Sequence, residues 1–225
     1  MSGHFHRALL FLMLLSAIAT GIGASAQVYD ATADFSPTNN PNGTWSYGWS
    51  STLGSTYNLD TVRSGGGWSG PIVTNFGSFP YVQNNQDGVN LLMHPGPNGE
   101  YSVLRWTAPN SGMWRVDAIF SAYFQGPTTD VHVLNNGTAL FNGNITPSST
   151  SPFSQTIAVA TGNTIDFAVG YGSDGGYNSD ATLISAKIKQ TSVPEPSSIP
   201  FLGAMTLVSG GLFFGARRRS RRSKA

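Results

Sequence analysis

The stretch GMWRVDAIF, residues 112–120, most constrains what this chain can fold into. Trp114, Val116, Ala118 and Phe120 fall on one side of it and Arg115 and Asp117 on the other. A period of two is the side-chain alternation of a strand with one face buried. The pattern recurs along the chain. In TDVHVLNNGTALFNGNI two alternating runs flank Asn135-Asn136-Gly137, which predicts a hairpin turn. FSQTIAVATGNTIDFAVG predicts a second hairpin, with Ile157 and Val159 inward, a turn at Thr161-Gly162-Asn163, and Ile165, Phe167 and Val169 on the return. ATLISAKIK and YSVLRWTAP predict two more strands, the first with Ile184, Ala186 and Ile188 on one face and the second ended by Pro109. No stretch of residues 27–192 has a helical period. Short strands at regular spacing predict an all-β fold, a two-sheet β-sandwich. Residues 27–88 are rich in Gly, Asn, Pro and Ser, and read as short strands and long loops that complete the same sandwich.

Composition excludes several function classes. Charged residues are 10% of the 225, well under the roughly one quarter usual in globular chains. The formal net charge of +1 hides an asymmetry. Residues 27–192 hold five Lys and Arg against ten Asp and Glu, a net charge of −5, while six basic residues crowd into the last nine positions. An acidic body argues against nucleic acid as a partner, because phosphate neutralisation needs a basic face. The absence of Cys removes disulfides, thiolate metal sites and cysteine nucleophiles.

The two ends read as targeting segments. Residues 1–26 carry Arg7, an apolar run over 9–19 and a small-residue site at Ala24-Ser25-Ala26, the pattern of a cleaved signal peptide that leaves Gln27 first. Residues 193–225 have three parts. Val193, Pro194, Glu195 and Pro196 come first, and the two prolines keep that segment out of helix and central strand. Residues 199–216 carry no charge over 18 positions, just long enough for a transmembrane helix. The basic cluster of Arg217, Arg218, Arg219, Arg221 and Arg222 follows, and positive-inside logic keeps it in the cytoplasm. This tail resembles the PEP-CTERM sorting signal of exported bacterial proteins, with all three features in the right order. The resemblance implies exosortase as a partner, a membrane stage held by the C-terminal helix before processing, and a destination in the cell envelope, at the cell surface or in the extracellular matrix.

Between the ends, residues 89–190 resemble a domain common in exported bacterial proteins with such tails. The resemblance rests on HPGPNGEYSVLRWTAP, GMWRVDAIF, TTDVHVLNNGTALF and TGNTIDFAVG. It implies that residues 27–192 form a single jelly-roll β-sandwich like those of carbohydrate-binding modules.

Four groups of residues are candidates for chemistry. Trp45, Tyr47 and Trp49 alternate in an extended run, about 7 Å apart on one face, with Trp68 nearby in sequence. Flat rings in a row suit stacking on a polysaccharide, and equally suit closing one end of a core. Asp174, Asn178 and Asp180 put oxygen ligands in a glycine-rich loop, a candidate Ca²⁺ site without an EF-hand spacing. His94 and Glu100 share one loop and read as local packing rather than acid–base chemistry. Glu100 is the only glutamate of the body, and Asp117 and Asp166 lie on strands that could face one another, so no carboxylate pair for sugar hydrolysis is marked. No nucleophile elbow or phosphate loop occurs, and His132 is alone on its strand. The sequence therefore predicts an exported, non-catalytic protein that binds extracellular polysaccharide. The alternatives it leaves are a polysaccharide hydrolase or lyase, and a matrix protein with a purely structural role.

Overall fold

The computed structural model describes residues 27–124 and 126–191. The expected signal segment with Ala24 and Ala26, the 193–196 motif, the apolar helix and the arginines of the tail lie outside the described residues. Among the described residues, no helix is long and apolar enough to cross a membrane. They form fourteen strands: β1 (Val28–Asp30), β2 (Trp45–Ser50), β3 (Asn58–Leu59), β4 (Val62–Ser64), β5 (Gly67–Thr74), β6 (Gly77–Asn84), β7 (Leu91–His94), β8 (Tyr101–Thr107), β9 (Gly112–Ala122), β10 (Asp130–Asn135), β11 (Thr138–Asn144), β12 (Thr150–Val159), β13 (Thr164–Gly170) and β14 (Thr182–Gln190). A single 3₁₀ turn, Gly172–Asp174, lies between β13 and β14.

The strands make two antiparallel sheets. One runs β12-β9-β14-β7-β6-β5-β4, with β1 added to the far half of β14. The other runs β11-β10-β13-β8-β2-β3. The architecture is an all-β, two-sheet sandwich, and residues 27–88 contribute strands to both sheets. The alternation explains the layering. Trp114, Val116, Ala118 and Phe120 of β9 are buried, and so are Ile184, Ala186 and Ile188 of β14. They meet Leu104 and Trp106 of β8, Val131 and Val133 of β10, and Ile165, Phe167 and Val169 of β13 from the other sheet. Each large apolar side chain removed from water contributes about 1.5–3 kcal/mol. Tyr29 packs on Trp106 and Trp114, whose rings stand 5.0 Å apart, and closes that end of the core.

The first predicted hairpin is present. β10 and β11 pair through Asn136 and Gly137, both with positive φ as a two-residue turn between twisted strands requires. The second is not a hairpin. β12 pairs with β9 and β13 pairs with β10 and β8, so the turn at Thr161-Gly162-Asn163 passes from one sheet to the other. Both strands carry their apolar residues inward, and packing face to face across the core buries both sets at once.

The connectivity divides the sandwich into two poles. β1 begins and β14 ends together at one pole, where the Gln190 amide bonds to the Gln27 carbonyl. The opposite pole gathers the ends of β7, β9, β11 and β13, the starts of β8, β10, β12 and β14, and the loops between them.

Candidate functional site at the loop pole

Three of the four predicted aromatics, Trp45, Tyr47 and Trp68, are part of the core. Trp45, Tyr47 and Trp68 are 1%, 0% and 8% exposed, and Trp49 is half-buried. The row does share one face of β2, but that face is turned inward. Its polar atoms are also committed. Trp45 Nε1 donates to Asp34 Oδ2 at 3.2 Å, Trp68 Nε1 donates to the Ser36 carbonyl at 2.7 Å, and Tyr47 Oη accepts the Ser36 amide at 3.1 Å. The Phe35 ring lies 4.8 Å from that of Tyr47. The long loop between β1 and β2 thus caps Trp45, Tyr47 and Trp68, and these three present no stacking face to a ligand. Burial and a coulombic push from Asp34 raise the Tyr47 phenol to about 12, though the Ser36 amide opposes them.

The remaining sequence candidates are dispersed. His94 is buried, its Nδ1 donates to the Pro95 carbonyl at 2.8 Å, and burial holds its pKa below the ordinary histidine value. Glu100 accepts from the Asn98 amide and side chain and so ties up its own turn. Asp117 and Asp166 do not face one another. Asp117 lies on β9 beside Arg115, and Asp166 lies on β13 of the other sheet in a two-pronged pair with Arg105. Two of the three calcium candidates converge: Asp174 Oδ2 accepts from Thr128 Oγ1 at 2.7 Å and Asp180 Oδ1 accepts the Thr128 amide at 3.0 Å. No hydrogen bond among the described residues ties the exposed Asn178 to them. No group of three or more His, Cys, Asp or Glu side chains among the described residues is placed to hold a metal ion.

Sequence reasoning missed a different constellation. At the loop pole a cavity of about 350 Å³ is lined by Tyr101, Asp130, Asn144, Tyr171 and Gly172. Strands of the six-stranded sheet supply these residues: Tyr101 opens β8, Asp130 opens β10 and Asn144 closes β11, with β13 between β8 and β10. Tyr101 Oη donates to Asp130 Oδ2 at 2.7 Å, and His132 Nε2 lies 2.7 Å from the same oxygen. Asp130 Oδ1 accepts the Gly172 amide at 2.9 Å. His132 Nδ1 lies 2.6 Å from Asn142 Oδ1, directly across the β10–β11 ladder. Gly172 is required there: its φ is +74°, and an added Cβ would sit 1.8 Å from the Thr128 carbonyl.

The electrostatics follow from these bonds. Burial alone would raise the Asp130 carboxyl, but donors from His132, Tyr101 and Gly172 outweigh it and hold the group below the ordinary carboxylate value. Burial, the hydrogen bond to Asp130 and its negative charge raise the Tyr101 phenol. The network is therefore an ionised carboxylate with rigid donors, flanked by two tyrosine rings. Both His132 nitrogens are engaged, Nε2 beside Asp130 and Nδ1 beside Asn142. Asp180, whose pKa burial pushes up to about 6, is fully enclosed. The signal for this site lay in the polar face of the 130–144 hairpin, where Asp130 and His132 alternate opposite Asn142 and Asn144.

No family model matches the chain, and no curated protein matches it. Among solved structures it is similar to a family 35 carbohydrate binding module from Clostridium thermocellum, at 16% identity over 48% of this chain and 85% of that one, with a TM-score of 0.33. It is similar to CBM51 from Clostridium perfringens GH95 in complex with methyl-galactose, at 9% identity over 72% of this chain and 99% of that one, with a TM-score of 0.36. Rabbit GITRL is similar at 16% identity over 43% of this chain and 76% of its own, with a TM-score of 0.28. Overlaps this loose assign no ligand.

Proposed function

We propose that the chain is an exported, non-catalytic polysaccharide-binding protein with a jelly-roll body, and that the Tyr101–Asp130–Tyr171 cavity is its binding site. One observation carries the reading: two tyrosine rings border a cavity whose polar groups are locked by one another at the pole away from β1 and the end of β14. Ring faces suit sugar C–H surfaces, and fixed oxygen and nitrogen groups suit hydroxyls. The ionised Asp130 and the net charge of −5 over residues 27–192 favour neutral or amino sugars over acidic ones. The PEP-CTERM-like tail supports sorting by exosortase to the envelope or matrix, with the loop pole facing away from the attachment side.

The test is an array of neutral, amino and acidic glycans probed with the full-length protein and with Tyr171→Ala. Losing one stacking ring is expected to weaken retention roughly two- to tenfold, from contacts of about 0.5–1.5 kcal/mol. Retention of acidic glycans alone, or equal retention by the variant, overturns the assignment. Sorting is tested separately by Glu195→Ala in a host with exosortase. A longer, membrane-bound form is expected, and an unchanged mature mass contradicts the sorting reading.

A further inference from the structure

Asp60 is the least explicable side chain of the sandwich. It is 1% exposed, and neither carboxyl oxygen has a hydrogen-bond partner. It stands where the chain leaves one sheet for the other, between β3 in the six-stranded sheet and β4 in the eight-stranded one. Its backbone is pinned at this corner. The Asp60 amide donates to the Tyr47 carbonyl at 3.0 Å, and Asn40 Nδ2 donates to the carbonyls of both Tyr47 and Asp60. The segment before it, residues 51–57, is a strap over the outer face of the six-stranded sheet. Leu53 and Tyr57 of the strap pack on Val103, Leu134 and Ala168, and Gly54 lies against the Gly137 carbonyl. Gly48 admits the strap, because a Cβ there would fall 2.6 Å from the Tyr57 ring.

We infer that Asp60 is a proton-operated latch: its neutral carboxyl lets the corner stay closed, and loss of that proton releases the strap and uncovers the face beneath it. An unpartnered ionised carboxylate cannot remain in such a site, so ionisation and opening are coupled. Among the described residues no cation offsets its charge, and burial is the one influence on it. The strap contributes Tyr57, whose phenol is raised by burial. Beneath that ring, β8 and β13 contribute Arg105 and Asp166, which neutralise each other, with the guanidinium 3.9 Å from the ring centroid. Tyr47 of β2 and Asn40 approach through the backbone bonds already named, and Arg63 of β4 is exposed. Burial pushes the Asp60 carboxyl up to about 8.

The sign follows from linkage. The closed-state value lies above the open-state value of about 3.9, so the closed form binds the extra proton between them. The latch is fully set below about pH 4, weakens by up to about tenfold in its opening constant per pH unit, and levels off above about pH 8. Hydrogen exchange with mass analysis on the full-length protein, corrected for intrinsic rates, reads this directly. Between pH 5 and 8 the opening constant of residues 51–61 is expected to rise by up to about tenfold per unit, while strands β9 and β12 do not follow. Asp60→Asn is expected to flatten the profile of residues 51–61. Identical profiles in wild type and Asp60→Asn, or no change in wild type, overturn the latch. Infrared spectra of the wild type with labelled aspartate give a second reading that needs no variant. A protonated carboxylic acid band at pH 7 is expected, and its absence overturns the latch.

Discussion

Two groups of aromatic side chains stand at different places in this sandwich. Trp45, Tyr47 and Trp68 look in the sequence like a row made for a ligand, and are core. Tyr101 and Tyr171 are unremarked in the sequence, and border a cavity. The difference lies in where the polar atoms of each ring go. The indoles and phenol of the first group bond to Asp34 and Ser36, inside the loop that covers them. The Tyr101 hydroxyl bonds to an ionised carboxylate at the mouth of a glycine-bounded cavity. Spacing along a strand says which residues share a face. It does not say whether that face looks out.

The largest expected effect tests the buried group. Trp45→Ala should cost about 3–5 kcal/mol of stability, the usual range for deleting a large buried aromatic. Urea unfolding measures it, and a folded variant of native stability with lost glycan retention would reverse the comparison.

A smaller loss is expected at the cavity. Asp130→Ala removes the acceptor shared by Tyr101, His132 and Gly172, and should cost about 1–3 kcal/mol. In the wild type this contribution also depends on pH. The folded value is depressed, so the stabilisation is present above about pH 3.9 and is lost as pH falls through the folded value. Acid titration of stability in wild type and Asp130→Ala should therefore diverge above that range and converge in stronger acid. Parallel curves would remove the carboxylate from the network.

Much of the fold was legible because it is local. The alternation of β9 and β14 and the Asn136-Gly137 turn can each be read within a dozen residues. The β12–β13 turn was misread because a face-to-face crossing between sheets has the same apolar pattern as a hairpin within one. The site was harder still. Tyr101, Asp130 and Tyr171 are brought together only by strand order, and Asp130 meets Gly172 across 42 positions. Nothing local to any of them marks the meeting.

The smallest expected effect concerns the Asp174–Asp180 pair. Thr128 already donates to both carboxylates, Asp180 is enclosed and no third acidic or histidine ligand joins them among the described residues, so calcium is expected to leave the melting temperature unchanged. A thermal scan with chelator and with millimolar calcium checks this, and a clear rise in melting temperature with calcium would make the loop a metal site instead.

The assignment of ligand binding to the loop pole is tested most directly by fluorine-labelled tyrosine NMR of the full-length protein, titrated with the oligosaccharide best retained on the glycan array. The Tyr101 and Tyr171 signals should shift in a saturable way while the Tyr47 signal stays in place. Shifts confined to other tyrosines, or none at saturating sugar, would contradict the assignment.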